Sequence, residues 1–218
     1  VSDRIFIVGG GPSLKDLNWR LLEKEKTIAV NAAVFDVPNP DYFITMDHTF
    51  ITKKIAAKRK FFESIPATRV FVVGLHHPYL KEKLGTIIDT RNRVVYRLEL
   101  FHIVIKSRNA HGYAFVFKDF RNGENSGFCA LQLATLLNFK RVYLLGMDLV
   151  VTDSTHYHKL YGPQRKFDEK LQIYEKNFKQ GLIAIQKHST IKVTSCSKIS
   201  SLNSVIEYKS FEDVLNEE

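Results

Sequence analysis

Cysteine is scarce in this chain: two in 218 residues, Cys129 and Cys196, far apart in sequence. That is no disulfide framework and too few for a cysteine zinc site, so both are read as small buried apolar residues. Long apolar runs are missing as well. The longest are broken by Lys140, Arg141 and Asp148 before they reach the roughly eighteen residues a membrane span requires. Val1-Ser2-Asp3-Arg4 leads directly into a strand-like run, without the charged, apolar and cleavage-site regions of a signal peptide, and a cytoplasmic location is the expectation. No internal repeat or linker interrupts the chain. No Asp-x-Asp pair occurs, which removes the usual acidic clamp by which many sugar transferases hold a divalent metal against a diphosphate. Hydrophobic residues at 44% and charged residues at 25% exclude a disordered or low-complexity chain and leave one globular domain over 1–218.

Charge of one sign is in excess. Thirty-two Lys and Arg against 23 Asp and Glu give a net charge of +9, which favours anionic partners such as nucleotides, acidic glycans, nucleic acid or lipid headgroups without choosing among them.

Apolar periodicity alternates between strand and helix. Arg4-Ile5-Phe6-Ile7-Val8 reads as a strand that ends at Gly9-Gly10-Gly11-Pro12-Ser13, after which Leu14, Leu17, Leu21 and Leu22 recur at helical spacing. Strands are also expected at 27–30, 41–46 and 69–74, with a helical stretch from Phe50 to Phe62. Residues 76–122 are less regular and are expected to form an insertion or lid. Ser126 to Leu137 suits a buried helix, Lys140 to Gly146 a strand, and the apolar residues from Phe167 to Ile185 one long amphipathic helix before a strand at 191–194. This pattern is that of an α/β, Rossmann-like fold with a mostly parallel sheet and helices on both faces.

Several strand ends carry chemistry. The glycine loop opens a predicted helix, where backbone N–H groups favour a phosphate, and Ser13 serves either as a helix cap or as a donor to ligand. The loop is neither G-x-G-x-x-G nor a P-loop, since Leu14 occupies the third glycine position and no Gly-Lys-Ser/Thr follows. Asn31 and Asp47 end the second and third strands, where open α/β sheets bind ligands, although both residue types also cap turns and helices. Asn125-Ser126-Gly127 enters the buried helix and offers a second helix N-terminus that could share a ligand with the first. Asp148 ends the next strand, placed to bind a sugar hydroxyl, orient a base or cap a turn. Thr155-His156-Tyr157-His158 follows, and a histidine beside a nucleotide site is the natural base for an acceptor hydroxyl. His156 and His158 with Asp148 and Asp153 lack a visible third soft ligand, so no metal and no cofactor is expected.

In this order the residues resemble the glycosyltransferase family 42 sialyltransferases and the related hydroxymethylpterin diphosphokinase-like proteins, almost end to end. The resemblance is carried by Ile7 through Lys15, Asn31, Pro40-Asp41-Tyr42 with Asp47, Asn125-Ser126-Gly127, Val142 through Asp148, and Cys196 to Leu202. It implies that Gly10, Gly11, Pro12, Ser13, Asn31, Asp47, Asn125, Ser126 and Gly127 bind a donor nucleotide and that His156 or His158 is the catalytic base, with Asp148 in the catalytic set. The chain departs from the family where its first-loop asparagine is Gly10 and where the tyrosine that steadies the leaving phosphate is Val150. Tyr157 and Tyr161 are candidates to take over that contact.

The expected activity is a metal-independent, inverting glycosyltransferase with a nucleotide-sugar donor and a glycan hydroxyl as acceptor. Three alternatives stand beside it. A phage-type transferase would act on a hydroxylated base in DNA, a pterin diphosphokinase would require ATP and Mg²⁺, and a non-catalytic module would bind nucleotide without turnover.

Overall fold

The computed structural model describes residues 3–47, 50–51, 57–74, 80–83, 86–89, 94–97, 100–108, 112–150, 156–158 and 167–217. Among the described residues ten strands run in chain order: β1 (Arg4–Val8), β2 (Thr27–Val30), β3 (Tyr42–Thr45), β4 (Thr68–Gly74), β5 (Leu80–Lys83), β6 (Thr86–Asp89), β7 (Val94–Arg97), β8 (Ile103–Ser107), β9 (Arg141–Leu145) and β10 (Lys192–Ser195). The described α-helices are α1 (Arg59–Ser64), α2 (Ser126–Leu136), α3 (Phe167–His188) and α4 (Phe211–Leu215). Seven strands form one sheet in the order β10-β9-β1-β2-β3-β4-β8, and every neighbouring pair is parallel. The expected parallel α/β sheet is present. β5, β6 and β7 form a separate antiparallel sheet.

The short strands are apolar at nearly every position because successive side chains enter opposite faces and both faces are covered. Ile5 and Ile7 of β1, Ile28 and Val30 of β2, Ile44 of β3 and Val70 and Val72 of β4 meet α2 and the buried stripe Phe178, Leu182 and Ile185 of α3. Their alternates Phe6, Val8, Ala29, Phe43 and Phe71 point the other way, onto Leu14, Leu22, Phe62, Phe211 and Val214. α2 is buried from Ser126 to Thr135 because it lies between the sheet and α3. On the second face Phe35, Phe43, Phe50, Phe61 and Phe62 form an aromatic cluster with ring centroids 5.1–6.4 Å apart, which fixes the turn after β2.

Two expectations are corrected. The helix read from Leu14 to Leu22 is two short 3₁₀ turns, Pro12–Leu14 and Trp19–Leu22, and Leu21 is exposed. The Asn18 side chain accepts a hydrogen bond from the Arg20 N–H, which starts a new turn where an α-helix would have continued. The helical stretch expected from Phe50 to Phe62 is helical at 50–51 and again at α1, with 52–56 outside the described residues. Within 76–122, Ile103–Ser107 is a strand of the main sheet; an edge strand with exposed Ile103 and Lys106 lacks the continuous apolar run that marks the central ones. Cys129 is buried as expected, whereas Cys196 is half-buried. Among the described residues no helix is long and apolar enough to cross a membrane.

α2 and α3 meet through a glycine. A Cβ on Gly181 would lie 2.7 Å from Phe128 Cε2 and 3.0 Å from Tyr113 Cδ2, and Phe128 is fully buried. Alanine in a helix is worth about 1 kcal/mol over glycine, but forcing Phe128 aside costs about 1–3 kcal/mol. Gly181→Ala is therefore expected to lower the urea midpoint, and Phe128→Leu in the same chain to recover part of the loss; a Gly181→Ala variant more stable than the parent would contradict this packing.

Candidate functional site

The sheet order reverses between β1 and β9: β2, β3, β4 and β8 lie to one side of β1, β9 and β10 to the other. In open α/β sheets ligands bind outside the carboxyl ends of strands at such a switch point. Here those ends are Gly9-Gly10-Gly11 and Gly146-Met147-Asp148. They continue the ladder, with Gly9 N–H donating to Leu145 C=O and Gly11 N–H to Gly146 C=O, both at 2.8 Å.

Close approach dictates the glycines. A Cβ on Gly9 would fall 2.6 Å from the Gly146 carbonyl oxygen, and one on Gly11 would strike the Asp148 carboxylate. Gly146 adopts φ +63, a left-handed conformation, with Leu14 packed where a side chain would be.

Asp148 is 1% exposed and clamps the loop. Its Oδ2 accepts the Ser13 N–H at 2.8 Å and its Oδ1 the Ser13 hydroxyl at 2.7 Å. Charge-assisted bonds of this kind are about twice as strong as neutral ones. From the other side Ser200 Oγ donates to Met147 C=O at 2.7 Å and Ser201 N–H to Asp148 C=O at 2.9 Å. Asp148 thus shapes the glycine loop, and Ser13 serves as its donor instead of a helix cap.

The remaining strand ends gather around this loop. Asn31 takes φ +52 and its Oδ1 accepts the Thr45 hydroxyl at 2.7 Å, tying the end of β2 to that of β3. The Asp47 carboxylate accepts the Phe50 N–H at 3.2 Å, and Ser126 Oγ accepts the Met46 N–H at 3.1 Å. Asn125 caps α2, its Oδ1 accepting from Gly127 N–H at 2.7 Å and Phe128 N–H at 3.1 Å. Two of the helix's first donors are occupied by that cap, and Pro12 opens only a 3₁₀ turn. The arrangement expected from the sequence, two α-helix N-termini over one ligand, is therefore corrected to a glycine loop facing one capped helix.

The histidine segment reaches the loop through backbone. Tyr157 N–H donates to Gly10 C=O at 3.1 Å, which brings 156–158 to the glycines. The Tyr157 hydroxyl donates to Asp36 Oδ2 at 2.9 Å, and its ring lies 5.4 Å from Trp19. His158 Nε2 stands 3.6 Å from the same Asp36 oxygen, in ion-pair range once the ring is protonated. Burial pushes the His156 imidazole from its ordinary 6.5 down to about 4. Tyr161 and Asp153 lie outside the described residues.

Three residues near the site were not singled out from the sequence. Asp36 closes the 3₁₀ segment Asn31–Phe35 that follows β2. Trp19 is the single tryptophan of the chain. Tyr174 of α3 was read only as part of an apolar stripe, yet burial together with the Glu124 and Asp47 charges pushes its hydroxyl up, so it stays a neutral donor. Asp36, at the carboxyl side of β2, had a positional signal; for Trp19 there was none beyond its rarity.

The sequence matches no known protein-family model and no curated protein. Its fold is similar to that of solved sialyltransferases. The structure of CST-II with a trisaccharide acceptor and CMP aligns with a TM-score of 0.56 at 16% identity, over 93% of this chain and 84% of that one. The monofunctional α-2,3-sialyltransferase Cst-I from Campylobacter jejuni aligns with a TM-score of 0.54 at 15% identity, over 94% and 79%. The α-2,3-sialyltransferase from Campylobacter jejuni in apo form gives 0.53 at 14% identity, over 95% and 80%. At these identities the likeness to these sialyltransferases is one of fold.

Two outcomes follow from this geometry. In Asp148→Asn an amide nitrogen faces one of the two Ser13 donors, and urea denaturation is expected to show a loss of about 1–3 kcal/mol; an unchanged midpoint would mean the clamp is dispensable. His156 resists protonation when folded, so its contribution is present above pH 6.5 and lost as the pH falls towards about 4. His156→Gln should flatten the fall in stability across that window, and an equally steep fall would remove His156 as its cause.

Proposed function

We propose that the chain is a nucleotide-sugar glycosyltransferase of the sialyltransferase type, inverting, independent of a metal and acting on a glycan hydroxyl. One observation carries the reading: on a sialyltransferase fold, the histidine segment is hydrogen-bonded to the same glycine loop that Asp148 holds open at the switch point. CMP, present in the CST-II complex, is the first nucleotide to consider.

In this reading the donor phosphate lies against the backbone of Gly10, Gly11 and Pro12, beside Ser13, whose N–H and hydroxyl are both held by Asp148, and the nucleoside extends towards Asn31, Asp47 and the Asn125-Ser126-Gly127 entry of α2. The acceptor hydroxyl loses its proton to a histidine as its oxygen bonds to the anomeric carbon. The bond from that carbon to the phosphate oxygen breaks, and the nucleoside monophosphate leaves with the electron pair. His158 suits the role better than His156. A base works best with a pKa near the working pH, and burial takes His156 well below it. Positioning of donor and acceptor supplies much of the remaining acceleration. The metal-independent part of the reading rests on the absence of Asp-x-Asp in the sequence.

Thermal shift against CMP, CMP-sialic acid, UDP, GDP and ATP, each with EDTA or Mg²⁺, tests the donor class, because ligands of the native state raise its melting temperature. Stabilisation by a cytidine nucleotide in EDTA is expected; a response to ATP only with Mg²⁺ would replace this reading with the diphosphokinase. In a transfer assay His158→Ala should lower kcat about 10²–10⁴-fold with little change in donor KM, and His156→Gln far less. The opposite ranking would reassign the base.

A further inference from the structure

We infer that Asp36 is the positioning residue of the histidine base, holding Tyr157 and His158 on one carboxylate. The kinetic consequence rests on the transferase reading above. The coupling of Asp36 to His158 rests on geometry and can be measured without turnover.

Asp36 ends the 3₁₀ turn Asn31–Phe35, and its N–H donates to Ala33 C=O. The turn is rigid because Ala32, Ala33 and Val34 are buried and the Phe35 ring packs on Phe50, Phe61 and Phe62. The carboxylate is therefore presented by packed structure to a histidine whose neighbour Tyr157 donates its N–H to Gly10 C=O. One oxygen, Oδ2, serves both partners: the Tyr157 hydroxyl at 2.9 Å and His158 Nε2 at 3.6 Å. The His158 ring also lies against the Tyr157 ring, with centroids 5.7 Å apart at 86°, and near Phe35 at 6.1 Å.

The charges around His158 are unequal. Lys58 places its ammonium 4.5 Å over the Phe35 ring, an aromatic whose centroid lies 6.1 Å from that of His158. His156, two residues away, is held neutral by burial. Asp36 is the negative group that faces the ring in this set. A carboxylate within ion-pair range of one imidazole nitrogen stabilises the cation formed when the other ring nitrogen takes a proton from the acceptor, as in bases supported by a third group. Asp36 touches neither donor nor acceptor in this account.

Asp36→Asn is the test, since it keeps an oxygen to accept the Tyr157 hydroxyl and removes only the charge. NMR titration of the His158 ring, assigned with His158→Gln, is expected to show the midpoint falling by about half a pH unit or more. The acid limb of kcat/KM against pH should move down with it, and kcat at neutral pH should fall about tenfold with donor KM within about twofold. Asp36→Glu, which restores the charge, should recover part of both and guards against a variant that fails to fold. An unchanged His158 midpoint in Asp36→Asn would overturn the inference, as would a loss of kcat that tracks a lower melting temperature and is not rescued by glutamate. Absence of sugar transfer by the wild-type protein would strike the proposed function alone; the titration would still decide whether Asp36 acts on His158.

Discussion

The site depends on one buried carboxylate. Asp148 lies at the end of β9 and accepts both hydrogen-bonding groups of Ser13, so the loops after β1 and β9 behave as one unit. A buried charge survives only when its oxygens are satisfied. Ser13 satisfies both, and in return the glycine loop is pinned across the switch point of the sheet. The close contact leaves no space for side chains at Gly9 and Gly11 and requires the left-handed turn at Gly146. Ser200 and Ser201 complete the arrangement by holding the backbone of Met147 and Asp148 from the β10 side.

From this clamp the rest of the site follows in layers. The glycine loop offers its Gly10 carbonyl to Tyr157, which brings the histidines to the carboxyl edge of the sheet. The aromatic cluster on the second face fixes the turn after β2 and with it Asp36. Packing far from any reacting atom thus decides where a charge stands beside His158, and a rigid scaffold presents residues that themselves belong to loops.

The central strands were legible in the sequence because burial on both faces makes them continuous apolar runs, α2 because its apolar run is too long for a strand, and α3 because its apolar residues recur every three or four positions. Local hydrogen bonding defeated the same reasoning elsewhere. Leu14, Leu17, Leu21 and Leu22 have helical spacing, yet Asn18 starts a new turn and the segment between β1 and β2 stays 3₁₀. β8 was lost within an irregular stretch because an edge strand with exposed Ile103 and Lys106 does not read as apolar. The glycine loop, Asn31, Asn125-Ser126-Gly127 and Asp148 could be placed at strand ends from pattern alone. That Asp148 closes on Ser13, and that Asp36 meets His158 across more than a hundred residues, are facts of tertiary register which no local pattern encodes.

The likeness to CST-II and Cst-I covers nearly the whole chain at about one residue in six identical, so architecture is shared where most side chains are not. A crystal structure of the protein with CMP bound tests the central claim. The account requires the phosphate against the backbone of Gly10 and Gly11 and the nucleoside between Asn31 and Ser126, with the Ser13–Asp148 bonds intact. Density for CMP elsewhere on the molecule, or an unaltered loop without nucleotide at saturating CMP, would contradict it.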